Sequence, residues 1–172
     1  AIIITYYLLA PVESTQREKI ATQSLIQNGS PLLGNPTAPI TVVEWGDYQC
    51  TYWYRFHQSS KDILIQEYVN TSKVNFVFRD FPLNGPDSVL AATASHCAND
   101  QNKYWEYHDE IYKNWAGERT GWVTRQSLDQ FANTVGLDLV QFNKCLDDKK
   151  YEQRVLENEK FGKEVGIKAT PS

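Results

Sequence analysis

Cys50 stands where a strand pattern gives way to a helical one, in the stretch Glu44-Trp45-Gly46-Asp47-Tyr48-Gln49-Cys50-Thr51-Tyr52-Trp53-Tyr54-Arg55-Phe56-His57. A thiol at a helix N-terminus meets the positive end of the macrodipole, which favours thiolate and so creates a nucleophile. Thiol–disulfide exchange then runs through a mixed disulfide that a second thiol must resolve. A Cys-x-x-Cys spacing would put that thiol three residues on, and Trp53 stands there instead. With these residues Cys50 can attack a disulfide but cannot release the product by itself. That is the chemistry of a substrate trap or a monothiol enzyme.

The other reactive side chains sort quickly. Glu44 lies six residues before Cys50 on the strand. It reads either as a buried acid of raised pKa that relays a proton, or as a carboxylate on the solvent face. His57 is two helical turns past Cys50, about 10 Å along the axis, and reads as a packed or surface histidine. His96 and His108 lack any zinc-ligand spacing, so no metal site is predicted. No phosphate loop or nucleophile-elbow serine is present. Tyr48, Tyr52, Trp53 and Tyr54 crowd the thiol and predict a partly exposed peptide-docking surface, with Tyr54 or Phe56 packing underneath.

The elements that must position Cys50 follow from periodicity. Residues 40–45 predict a buried strand, 50–68 a helix and 74–78 a second strand that ends at Arg79-Asp80-Phe81-Pro82. This is a right-handed βαβ unit with a parallel pair. Helical spacing then recurs at 88–98, 103–115, 125–135, 137–146 and 151–165, which predicts a helical insertion in an α/β fold. Residues 166–172 return to an extended pattern. The Gly/Pro-punctuated stretch 29–39 reads as the boundary between a leader and the folded domain.

Composition narrows the class. The 172 residues suit one domain, with 41% apolar and 22% charged residues, five Trp and ten Tyr. A net charge of −4 without a basic stripe argues against nucleic acid as a partner. Residues 1–12 carry no charge and are shorter than the ~20 residues of a membrane span. They are expected to be the outer end of a membrane anchor or signal segment, with a polar linker or N-terminal helix at 13–38. Three cysteines suit one bridge plus one free thiol, and Cys97 and Cys145 read by themselves as small buried hydrophobes.

Taken in order along 34–172, these motifs resemble the DsbA-like branch of thioredoxin-fold disulfide oxidoreductases, in the form found in archaea and Gram-positive bacteria. The resemblance rests on 34–40, Gly46-Asp47-Tyr48-Gln49-Cys50 through Phe56-His57, Arg79-Asp80-Phe81-Pro82-Leu83, Cys97-Ala98-Asn99-Asp100-Gln101, Trp105-Glu106-Tyr107-His108-Asp109, Cys145-Leu146-Asp147 and Gly166-Ile167-Lys168-Ala169-Thr170-Pro171-Ser172. It implies a thioredoxin-like α/β fold: a βαβ unit at 39–84, a helical insertion at 85–165, and a cis-proline loop at 166–172 that opens the rest of the sheet. Two further strands and a helix belong after that loop in the family.

The resemblance also implies roles. Cys50 would be the nucleophile, Trp53 the position of the resolving cysteine, and Glu44 the proton relay. Thr51, Tyr52, Thr170 and Pro171 would contact substrate, with Pro171 cis and Thr170 facing the Cys50 sulfur. Cys97 and Cys145 would form a structural disulfide. No metal or organic cofactor is implied. The partners would be thiols and disulfides of exported proteins and a membrane or soluble redox partner, at an extracytoplasmic site tethered through the N-terminal segment. The competing readings are an impaired thioredoxin-fold accessory subunit or peptide-binding module anchoring ligands through Trp53, and a cytosolic redox protein, which the apolar leader argues against.

Overall fold

Ile40–Gly46 (β1) and Val74–Asp80 (β2) pair in parallel, with Ile40 opposite Val74 and Gly46 opposite Asp80. The computed structural model describes residues 23–172. A parallel pair needs a long crossover, and it is built here from Thr51–Ser59 (α1), Lys61–Leu64 (α2) and a π-helical turn at Ile65–Val69. The single helix expected over 50–68 is therefore broken. Ser59 turns its hydroxyl back onto the Arg55 carbonyl, a contact that bends helices. At the far end the Asn70 N–H reaches back five residues to Ile65, widening the last turn.

All seven residues of β2 are buried, whereas β1 is only partly covered. The free edge of β2 still needs hydrogen-bond partners. Leu33 supplies them, exchanging both backbone bonds with Phe76 at 2.9 Å, and Ser30 binds the Phe78 backbone through its own N–H and hydroxyl. Residues 30 and 33, within the 13–38 stretch expected to be a linker or N-terminal helix, thus pair with the sheet. The expected membrane segment at 1–12 lies outside the described residues. No helix among the described residues is long and apolar enough to cross a membrane.

Five helices follow: Pro86–Asn99 (α3), Tyr104–Lys113 (α4), Arg125–Thr134 (α5), Leu139–Asp147 (α6) and Glu152–Glu164 (α7). Their starts are written in the chain. Pro86 opens α3, Thr124 and Ser127 form a reciprocal capping box on α5, and Asp138 caps the Val140 and Gln141 N–H groups of α6. Ala91, Ala94 and Ala98 of α3, Tyr107 and Ile111 of α4, Leu128 of α5, Phe142 of α6 and Val155 of α7 meet in one core. A disulfide between Cys97 and Cys145, S–S 2.03 Å, joins α3 to α6.

Helix α7 packs on the sheet through Gly162, where any Cβ would lie within 2.9 Å of the Phe81 and Trp45 rings. Beside it the Arg79 guanidinium lies between the Trp45 and Phe161 rings, 4.7 and 4.9 Å from their centroids. It donates to the Ser24 and Leu25 carbonyls and to Asn158 Oδ1. The segment after α7 forms no regular strand. Ser172 nevertheless exchanges backbone hydrogen bonds with Trp45, at 2.9 and 3.3 Å, which brings the Thr170–Pro171 loop, with its cis peptide, back to the end of β1.

Candidate thiol site

Gly46 ends β1 against the Phe78 ring, so close that a Cβ would stand 2.1 Å from a ring carbon. The chain then turns on Asp47. One oxygen of its carboxylate accepts from the Gln49 N–H and the Ser88 hydroxyl, and the other from the Asn84 N–H, each at 2.7 Å. Burial pushes this carboxyl up, and the hydrogen bonds oppose that rise. The Cys50 N–H closes onto the Asp47 carbonyl, leaving Cys50 as the extended cap residue that precedes α1.

The Cys50 thiol donates to the Thr170 carbonyl at 3.3 Å and is 4% exposed. The loop 115–121 closes the other side. The Trp115 indole donates to the Gln49 carbonyl, the Gln49 side-chain oxygen accepts from the Arg119 N–H, and the Tyr54 ring stacks on Trp115 at 4.4 Å. Glu118 accepts the Thr51 N–H at 2.7 Å.

Trp53 lies under this site, with no sulfur in its place. It is 1% exposed and stacks on Phe56 and Phe78, 4.8 and 5.5 Å between ring centroids. Its Nε1 has no hydrogen-bond partner among the described residues. The expected exposed aromatic surface is thereby corrected. Trp53 and Phe56, three residues apart on α1, form the face that packs toward β2, and Tyr48 is buried against Phe78 and Tyr112. Tyr54 is half-buried on Trp115, and Tyr52 alone stands out at 65% exposure.

Of the residues singled out from sequence, Cys50, Thr51 and Thr170 come together here, with Pro171 beside Thr170. Glu44 lies opposite Phe78 in the sheet and is mostly buried, and no hydrogen bond or ion pair reaches its carboxylate among the described residues. Burial pushes it up to about 8. No hydrogen bond links it to Cys50. Cys97 and Cys145 are joined to each other, which leaves Cys50 as the free thiol.

Sequence reasoning missed Asp47, Gln49, Ser88, Trp115 and Glu118. Asp47-Tyr48-Gln49 carries the signature of an Asx turn, but nothing local marks Glu118, which acts across 67 residues. It also missed that His57, His108 and Asp109 place potential metal-ligand atoms within 4.8 Å of one another. The Lys61 ammonium already sits on the same Asp109 oxygen that both histidines approach. Burial would raise the Asp109 carboxyl, but the hydrogen bonds from His108 and His57 and the lysine charge hold it well below the usual range. Burial pushes His108 down to about 4. The Lys61 ammonium is paired with the Asp109 carboxylate. A surface groove of about 780 Å³ lies among Val89, Leu146 and Leu156 and includes none of the site residues.

Residues 27–172 match the profile of the family described as Thioredoxin. The chain belongs to the DsbA-like branch of that family. The crystal structure of oxidised BdbD from Bacillus subtilis superposes with a TM-score of 0.78 at 27% identity, over 85% of this chain and 80% of that one. The alpha-DsbA1 of Wolbachia pipientis gives 0.73 at 28%, over 84% and 73%. In sequence, the probable disulfide bond formation protein D of Bacillus anthracis is 30% identical over 144 residues, 81% of this chain and 66% of that protein. This DsbA-like chain thus spans about two thirds of the length of the curated relatives it matches. Its thioredoxin-like fold holds one sulfur at the head of α1, with an aromatic ring in the second position.

Proposed function

We propose that this chain is a thiol–disulfide oxidoreductase of exported proteins that works through Cys50. The carrying observation is that Cys50 occupies the N-cap position of α1 with its sulfur 3.3 Å from the Thr170 carbonyl oxygen, which sets a nucleophile beside a backbone edge that an extended peptide can use. The names of the relatives, disulfide bond formation proteins, point the same way. The Cys97–Cys145 bond supports an extracytoplasmic, oxidising location.

In the proposed step the Cys50 thiolate attacks one sulfur of a substrate disulfide. The new S–S bond forms as the old one breaks, and the departing sulfur leaves as a thiolate that takes a proton from solvent. Thr51 and exposed Tyr52 on one side, and Thr170 and Pro171 on the other, would flank the substrate chain. Glu44, mostly protonated near neutral pH, would be a proton source behind the thiol. Trp53 offers no group to resolve the adduct, so release falls to an external thiol, from a small molecule or a membrane or soluble redox partner.

That same observation favours a second reading, an accessory module or trap that holds peptides without turnover. Burial of Trp53 removes it as the anchor and leaves Tyr52 in that part. One experiment separates the readings. Purified protein is mixed with a model peptide disulfide, with and without glutathione, and adducts are weighed by mass spectrometry. A mixed disulfide on Cys50 that turns over only with added thiol supports the oxidoreductase. Cys50→Ser should abolish the adduct, and Trp53→Cys should release the peptide once without added thiol, leaving the introduced thiol joined to Cys50. Absence of any adduct, or efficient turnover by the unaltered chain alone, would reject the mechanism.

A further inference from the structure

Two acidic groups, the Cys50 thiol and the Glu118 carboxyl, meet at the head of α1. A helix N-terminus stabilises a single negative charge best placed against its first N–H groups. Glu118 places a carboxylate oxygen 2.7 Å from the Thr51 N–H, the first amide of the helix and the chain neighbour of Cys50. We propose that Glu118 is an electrostatic brake on Cys50, a positioning residue that holds the thiol in its protonated form until the loop bearing it is displaced. The inference rests on Cys50 being the reactive thiol of the proposed function.

Three observations carry it. The carboxylate takes a donor that would otherwise favour the thiolate, and adds a like charge beside it. The Cys50 sulfur lies 3.3 Å from the Thr170 carbonyl oxygen, an acceptor that a thiol can donate to and a thiolate cannot. The loop is also held in place: Trp115 and Arg119 bind the backbone and side chain of Gln49, Tyr54 stacks on Trp115, and the Arg119 guanidinium donates to the Leu83 carbonyl. Glu118 is exposed at its tip, open to a docking peptide.

The remaining charged and titratable groups near the thiol do not substitute for it. From β1, Glu44 is pushed up to about 8 and is mostly uncharged at neutral pH. From the turn, Asp47 spends its carboxylate on Gln49, Asn84 and Ser88. From α4, burial holds the Tyr112 phenol neutral. On α1 itself, Arg55 lies over the Tyr52 ring. The loop residues 169–172 carry no charge.

The test is the rate of Cys50 alkylation by iodoacetamide between pH 5 and 9 on the free protein. Glu118→Gln keeps the hydrogen bond and drops the charge. It should react about two- to fivefold faster at pH 7, the size of a charge effect at a helix end, with the same plateau at high pH. Glu118→Ala should shift the profile the same way, and salt should narrow the gap by screening Glu118 in the parent protein. Superimposable profiles, a shift to higher pH, or a changed plateau without a shift would overturn the brake. Peptide trapping is scored in parallel. Trapping without a profile shift removes the brake alone, whereas a shift without trapping removes the proposed function and leaves the brake standing.

Discussion

The Cys50 sulfur and the Thr170 carbonyl oxygen, 120 residues apart in the chain, meet at 3.3 Å. The contact closes the site over the thiol, which is 4% exposed. A small reagent reaches it through a minor opening, but a bulky one needs the loop to part. Methyl methanethiosulfonate should therefore outpace a bulky aromatic disulfide by on the order of tenfold relative to their rates on the urea-unfolded chain, equivalent to about 1.4 kcal/mol of local opening. Equal ratios in folded and unfolded protein would show the site to be open.

Trp53 packs well but leaves its N–H unpaired among the described residues. A buried donor without a partner costs roughly 1–3 kcal/mol, which offsets part of what the large ring contributes. Trp53→Phe removes that donor and keeps the stack on Phe56, so urea unfolding should show a loss below about 1.5 kcal/mol. Trp53→Ala opens a cavity and should cost about 3–5 kcal/mol. Equal losses for the two would mean that the indole nitrogen has a partner in solution.

Glu44 makes stability depend on pH in a defined direction. Its carboxyl ordinarily titrates near 4.5 and is pushed up to about 8 in the fold. An acid raised on folding costs nothing below its unfolded pKa. Above it the fold loses stability until the folded pKa is passed, by up to about 1.4 kcal/mol per pH unit. Glu44→Gln should therefore match the parent protein near pH 4.5 and become progressively more stable relative to it toward pH 8. Melting curves that stay parallel across that range would contradict this environment.

The β-branched run at 40–45 and the spaced apolar residues of the later helices write their elements into the chain, and each insertion helix begins and ends within two residues of its periodic pattern. The edge contact of Leu33 with Phe76 is not written there, because it answers a need of β2 rather than any local preference. Tyr48 and Trp53 are the sharpest failures. Aromatic residues beside a nucleophile fit an exposed docking surface or a core equally well by type, and the Phe78 ring beneath them decides the matter. Cys50 was legible because its neighbours form a local motif. The contact of Glu118 with the Thr51 N–H was not, because it depends on a loop brought back across the fold.

His108 sets the acid limit. It is buried and pushed down to about 4. As the pH falls from about 6.5 toward 4, the unfolded chain takes up a proton that the fold refuses, so stability drops by up to about 1.4 kcal/mol per unit over that window. His108→Asn should be less stable at pH 7 yet lose less on acidification, read by urea titrations at pH 7, 5.5 and 4. An unchanged acid slope would place the loss elsewhere.

The bond between Cys97 and Cys145 spans 48 residues, and Cys50 lies almost the same distance from Cys97 on the other side. Loop-closure entropy varies slowly with length, so it gives Cys97 no reason to prefer one partner over the other. During synthesis from the N-terminus Cys50 emerges first, and α3 is complete before α6 exists. The chain therefore passes through an interval in which Cys50 and Cys97 have emerged and Cys145 has not. The Cys97–Cys145 bond therefore requires that Cys97 stay unpaired until Cys145 emerges.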